Sequence, residues 1–326
     1  MATRPIRPDR PRAILSALAI LLSLLSTVTA LTALTAALSA LTAVPARAGG
    51  PDTASGAAPY AYGGATGLTV SAGDRRFEAL VLWPAMDTDA GDDGPRGSGP
   101  WPVVIFSHGY LSPVELYTGT LRELATRGFI VVAPRSGGEL FPDHAAIAAD
   151  ISTVIDWFEV ETALEGGMFT GAVALDRIGV AGHSMGGGVS LLAAAADPRI
   201  RTVATLAAAE TRPSAIGAAG RIRVPMLFIA GELDAITPIA RHQRPMFESS
   251  TDTHTQMRII VGGSHCGFTE PSSGGVVGAL SGLVCDTATI PSAAQLSAAR
   301  RLLVDWFRSH LGGAPGDGTV PEQRRP

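Results

Sequence analysis

Cysteine is nearly absent from this chain: 326 residues hold two, Cys266 and Cys285. That excludes a disulfide-dense scaffold and any Cys-rich zinc module, and leaves room for one bridge at most. Charge is scarce as well, at 17% of residues, and nearly balanced, with a formal net charge of −4. No basic stripe stands out, so nucleic acid finds no electrostatic footprint. His144, His242, His254 and His310 have no partners at metal-ligand spacing. Surface roles are expected for them, and neither a metal nor a cofactor is predicted. Asp87, Asp89, Asp92 and Asp93 lie in an acidic Gly/Pro stretch, but their spacing fails the EF-hand template and no terminal glutamate follows. A solvated hairpin loop is the expectation there.

What the sequence does have begins at its N-terminus. Arg4, Arg7, Arg10 and Arg12 form a basic lead, and Ala13 to Val44 is an apolar run without a charge. Ala46-Arg47-Ala48 then offers a small-x-small cleavage site, so residues 1–48 read as a signal peptide and the chain as secreted or held in the cell envelope. The run is long for a signal sequence, which leaves a retained membrane anchor as the competing reading. Its many threonines, serines and alanines favour removal, after which no stable membrane insertion is expected. In an exported chain an even cysteine pair suggests a disulfide, Cys266 to Cys285. Closing a loop of that length contributes roughly 3 kcal/mol in the chain-entropy model.

Residues 49–66 are rich in Gly, Ala and Pro and read as a flexible lead-in. One domain is expected over 67–311, with a polar, disordered tail over 312–326. Leu68–Val70 and Phe77–Trp83 look like opening strands, and Trp101–Ser107 like a strand buried on both faces. Leu116–Arg127 has helical spacing and is closed by Gly128. Phe129–Ala133 is the next strand, and Ala145–Glu161 the next helix, with Ile147, Ile151, Val154, Ile155 and Phe158 as its apolar stripe. Three further strands follow at Thr202–Ala207, Met226–Ala230 and Met257–Val261, then a closing helix at Ser292–Leu311. Strands alternating with helices predict an α/β fold, a mostly parallel central sheet covered on both faces. In such sheets, function sits at the carboxyl ends of the strands.

One of those ends is the most informative stretch of the chain. Gly182-His183-Ser184-Met185-Gly186 follows the apolar run Arg177–Ala181 and precedes a small-residue and leucine run ended by Asp197-Pro198. A strand, a sharp turn and a helix in that order lift a serine hydroxyl into the open. The bare pattern is weak: with 38 glycines, about 0.3 chance matches are expected. The flanking strand and helix carry the signal.

A serine hydroxyl needs a histidine to take its proton, and the histidine needs a carboxylate to hold its tautomer. Three strand ends supply these groups in the order Ser184, Asp234, His265. Glu232, two residues before Asp234, and Glu210, past the preceding strand, are rival acids. The oxyanion would be held by the N–H groups of Met185 and Tyr110, the latter in Ser107-His108-Gly109-Tyr110. Tyr110 could also offer its ring to the substrate. His183 is expected to give packing support, and His108 to orient its loop.

These residues resemble the α/β-hydrolase superfamily over nearly all of the chain after the signal peptide. Pro102 to Tyr110, Arg127 to Pro134 and Gly182 to Gly188 are similar to the bacterial cutinase and polyester-hydrolase branch, and equally to chlorophyllase-like and dienelactone-hydrolase-like branches. The resemblance implies a serine esterase without a large cap domain. Two departures stand out. Polyester hydrolases usually carry a tryptophan where this chain reads Leu206-Ala207-Ala208-Ala209-Glu210, and chlorophyllases a basic residue where it has Met185. The expected activity is carboxylic ester hydrolysis through an acyl-enzyme, on small-molecule, lipid or polymer esters, by a monomer. An extracellular acyltransferase using the same triad is the alternative. A silent binding module on the same fold and a peptidase are further readings, and fold alone does not separate them.

Overall fold

The computed structural model describes residues 60–85, 94–95, 99–271 and 288–312. The expected signal peptide (1–48), the acidic stretch at 86–93, Cys285 and the expected disordered tail beyond 312 lie outside the described residues. Among those described, no helix is long and apolar enough to cross a membrane.

Eight strands form one sheet: β1 (Ala61–Ala72), β2 (Arg75–Ala85), β3 (Trp101–Ser107), β4 (Ile130–Pro134), β5 (Val173–His183), β6 (Ile200–Leu206), β7 (Met226–Gly231) and β8 (Gln256–Ile260). Their spatial order is β1-β2-β4-β3-β5-β6-β7-β8. β1 and β2 pair antiparallel, as do β2 and β4, and all other pairings are parallel. This is the mostly parallel α/β sheet of the α/β-hydrolase fold.

The pleat explains why the central strands are apolar throughout. Along β3, Val103 and Ile105 enter one core layer and Val104 and Phe106 the other. In β4, Ile130 and Val132 alternate in the same way with Val131 and Ala133. On the first face lie α2 (His144–Ala163), α3 (Met185–Ala196), α4 (Ala215–Ala219) and α5 (Gln243–Ser249). The second face is covered by α1 (Thr118–Thr126) and α6 (Ser292–Leu311), which bury Leu121, Leu124, Leu303 and Phe307. Each fully buried side chain of that size contributes roughly 1.5–3 kcal/mol. The start of α2 is fixed by Asp143, whose carboxylate accepts the N–H of Ala145 and Ala146 at 3.0 and 3.1 Å.

Two expectations about elements need correction. The lead-in was expected to be flexible to residue 66, but β1 begins at Ala61. Ala61–Ala65 pair with Val81–Ala85, and the ring of Tyr60 packs edge-on to Trp101 at 5.0 Å. Backbone hydrogen bonds hold a Gly/Ala segment that side-chain patterning does not reveal. The helix expected from Leu116 starts instead as a 3₁₀ turn, Val114–Tyr117, before α1.

Candidate active site

At the carboxyl end of β5 the chain turns sharply into α3, and Ser184 sits on that turn with φ 55° and ψ −120°. Its N–H donates to Leu206 O at 2.9 Å, and its carbonyl accepts the N–H of Gly187 at 3.0 Å and of Ala209 at 2.8 Å. A side chain on Gly186 would collide with the carbonyl of Ser107, so only glycine lets the elbow press against β3. Among the described residues three non-glycine positions have positive φ: Leu111, Ser184 and Ala207. All three stand at carboxyl ends of the central strands or in the loops that leave them. Backbone strain of this kind is typically held at functional sites.

His265 and Asp234 arrive on the loops after β8 and β7. Those loops are tied together, since Leu233 N–H donates to Gly263 O at 2.8 Å. Gln295 of α6 clamps the histidine loop from behind, accepting Ser264 N–H at 3.0 Å and donating to Ser264 O at 2.7 Å. His265 Nδ1 and Asp234 Oδ2 are 2.8 Å apart, with both side chains buried. Asp234 Oδ1 accepts the N–H of Ile236 and Thr237 at 2.9 and 2.7 Å. Burial pushes the Asp234 carboxyl up, but the hydrogen bond and charge of His265, with the donors of Thr237, outweigh it and hold the group below its ordinary value. It is therefore an anion at neutral pH.

The rival acids are used elsewhere. Glu210 accepts Ile216 N–H at 2.9 Å, and Glu232 accepts Gly262 N–H at 2.8 Å. Among the described residues no hydrogen bond joins Ser184 Oγ to His265. The structure thus joins Asp234 with His265 and leaves the serine hydroxyl unengaged, as apo catalytic sites often do.

His183, inside the elbow, is buried. Its Nδ1 lies 2.9 Å from Tyr117 Oη, its Nε2 3.2 Å from His265 O, and its ring centroid 4.7 Å from that of His265. Burial first, then the neighbouring His265, depress its protonation well below the ordinary histidine value, so the ring is neutral. His108 spans Gly109 O and Ser136 O, each at 2.9 Å, and holds together the loops after β3 and β4. Cys266, directly after His265, is in a disulfide; Cys285 lies outside the described residues.

A cleft of about 570 Å³ opens beside this turn, and Tyr110, Met185, Leu140, Phe141, Glu210 and Arg212 are among the residues that line it. Tyr110 Oη donates to Leu140 O at 2.8 Å, so its ring is fixed at the cleft edge. Phe141 is 94% exposed.

Sequence reasoning missed several residues. His144 and His242, expected to have surface roles, are half-buried and hydrogen-bonded near the site. His144 lines the cleft, with its Nδ1 accepting Arg212 N–H at 3.2 Å, and His242 accepts Glu210 N–H at 3.0 Å close enough to feel Asp234 and His265. Thr237, Gln243 and Phe141 carry no recognisable signal in the sequence. No spacing rule marks a residue whose partners are remote backbone carbonyls.

Residues 95–280 match the model of the family described as PETase: PET hydrolase-like, and the chain belongs to that family. Over 163 residues it is 28% identical to "Cutinase est1" of Thermobifida alba, covering 48% of this chain and 52% of that protein. "Cutinase cut1" of Thermobifida fusca is 27% identical over 158 residues, 48% of this chain and 46% of its own length. A "Bis(hydroxyethyl) terephthalate hydrolase" of Streptomyces coelicolor is likewise 27% identical over 158 residues, 47% of each chain. The chain spans about half the length of these relatives.

Proposed function

We propose that this chain is an exported serine hydrolase of carboxylic esters, acting through an acyl-enzyme on esters of the polyester-related kind. The observation that carries the reading is the buried Asp234–His265 pair at 2.8 Å, at the same rim of the sheet as the strained Ser184 turn. Asp234 holds Nδ1–H of His265, which leaves Nε2 as the base. Ser184 Oγ attacks the acyl carbon as its proton passes to Nε2. The N–H groups of Met185, at the positive end of α3, and of Tyr110 take the developing oxyanion. His265 then gives the proton to the departing alcohol, and water repeats the sequence to release the acid.

The substrate class draws on the relatives, which are named as cutinases and as a hydrolase of bis(hydroxyethyl) terephthalate. The cleft suits it, since its lining combines apolar Leu140 and Phe141 with charged Glu210 and Arg212. Export rests on the N-terminal basic lead and apolar run, with a bridge from Cys266 to Cys285 bracing the histidine loop. A fluorophosphonate probe tests the core of the reading. It should label the wild type and not Ser184→Ala; equal labelling of both overturns it.

A further inference from the structure

Asp234 could accept about four hydrogen bonds on its two oxygens, and four donors face it. Oδ1 takes two backbone N–H groups, Oδ2 takes His265 Nδ1–H, and the fourth is the hydroxyl of Thr237, 2.8 Å from Oδ2. That hydroxyl is buried and also stands 3.1 Å from His265 Nδ1 and 3.0 Å from Ala207 O. A hydroxyl has one proton, and the nearest acceptor, which is also charged, is the carboxylate.

What aims the proton is Gln243, fully buried at the start of α5. Its Nε2 donates to Ala208 O at 2.7 Å, and lies 3.2 Å from both Thr237 O and Thr237 Oγ1. Turning the amide over would set Oε1 against three oxygens, so its orientation is fixed. Among the described residues Gln243 Oε1 has no partner, although it is buried. A buried amide oxygen left unpaired is unfavourable, and it persists here because the nitrogen side is needed. With Gln243 donating to it, the Thr237 oxygen points its own proton away from Gln243, and of the two acceptors there, Ala207 O at 3.0 Å and Asp234 Oδ2 at 2.8 Å, the nearer and charged carboxylate takes it.

We infer that Thr237, oriented by Gln243, is a positioning residue that fixes the Asp234 carboxylate and through it the ring of His265. The inference rests on the proposed roles of Asp234 and His265. Thr237 does not touch substrate. Its hydroxyl closes the last open position on the carboxylate, so the carboxylate cannot rotate and the imidazole cannot tilt with it. Besides Asp234, the titratable groups around His265 are His183 against its ring and, more remotely, His242, itself near Glu210 and Arg241.

The test uses Thr237→Val and Thr237→Ala, both lacking the hydroxyl, and Thr237→Ser, which keeps it. On a soluble nitrophenyl ester, the Val and Ala variants should lose about 10-fold in kcat with KM within about twofold, because only the geometry of proton transfer changes. The serine variant should return to within about threefold of wild type. The low-field proton resonance of His265 Nδ1–H should move in Val and Ala and regain its wild-type position in Ser. Wild-type kcat in a folded Val or Ala variant overturns the inference. So does a serine variant as impaired as valine, or an unmoved resonance. Ser184→Ala, run alongside, separates the two readings. If it still hydrolyses ester, the proposed function fails, while the resonance, which needs no turnover, still decides the role of Thr237.

Discussion

His183 and His265 are joined through the backbone, the Nε2–H of one ring donating to the main-chain carbonyl of the other at 3.2 Å. The direction follows from what lies behind. Gly109 N–H donates to Tyr117 Oη at 3.1 Å, so the phenol gives its own proton to His183 Nδ1, and His183 must carry its hydrogen on Nε2. One chain of hydrogen bonds thus runs from the loop expected to hold the oxyanion, through the elbow, to the loop that carries His265. Burial pushes the Tyr117 phenol up to about 12, which keeps it a donor at any working pH.

Tyr117→Phe should therefore do more harm than the loss of one hydroxyl suggests. It leaves two buried groups, His183 Nδ1 and Gly109 N–H, without partners, each unfavourable by about 1–3 kcal/mol. Calorimetry should show Tm falling by roughly 4–24 °C, for a total of about 2–6 kcal/mol at about 2–4 °C per kcal/mol in a domain of this size. A variant that melts with the wild type would show that the chain of bonds contributes nothing.

Acid should weaken the fold through His183. Its folded-state value is depressed while in the unfolded chain it titrates near 6.5, so the unfolded state binds the extra proton. The stability from keeping it neutral is complete above about pH 6.5 and is lost as pH falls below that, at up to about 1.4 kcal/mol per pH unit. Asp234, lowered from an already acidic value, adds its loss only at lower pH. Urea melts at pH 7.5 and 5.5 should show wild type losing about 1 kcal/mol more than His183→Gln between the two. Equal losses would mean that His183 is protonated in the fold.

The choice of acid is open to direct test. Asp234→Asn should lower kcat by about 10³–10⁴, since an amide cannot hold the same histidine tautomer by accepting and bearing charge. Glu210→Gln and Glu232→Gln, whose carboxylates serve backbone N–H groups of α4 and of the turn at Gly262, should stay within a few-fold of wild type. A large loss from either, with Asp234→Asn active, would reassign the acid.

How far such a site was legible depends on what holds each piece. Val103–Phe106 and Phe129–Ala133 were readable because a strand buried on both faces must be continuously apolar, and Ser292–Leu311 because its stripe repeats with the helix. The strand at Ala61–Ala65 was not, because it is held through its backbone and its side chains are Gly, Ala and Tyr. Ser184 carried a local signature in its glycines. Thr237, Gln243 and Gln295 carried none, since what they touch (Asp234, His265, each other, and the backbone of Ala207, Ala208 and Ser264) is brought near only by the tertiary fold. Ser184 and His265 were legible as types, and their mutual placement was not, because the loop after β8 is held by Gln295 of α6, far away in the sequence.

Phe141 gives the sharpest test of the substrate class. A side chain left 94% exposed contributes almost nothing to folding, so Phe141→Ala should leave Tm unchanged, within about 0.5 kcal/mol. It lines the cleft beside Leu140, where Tyr110 Oη anchors the loop. A small soluble ester that reaches only the turn at Ser184 should be hydrolysed within about twofold of the wild-type rate. A polyester chain laid along the cleft would cover the ring, and removing that contact should be unfavourable by about 1–1.5 kcal/mol, some 5- to 10-fold in rate on a film. Phe141→Trp should hold or raise film hydrolysis while leaving the soluble ester untouched. Loss on both substrates together would place Phe141 in the chemistry rather than the wall, and loss on neither would move the polymer path off this side of the cleft.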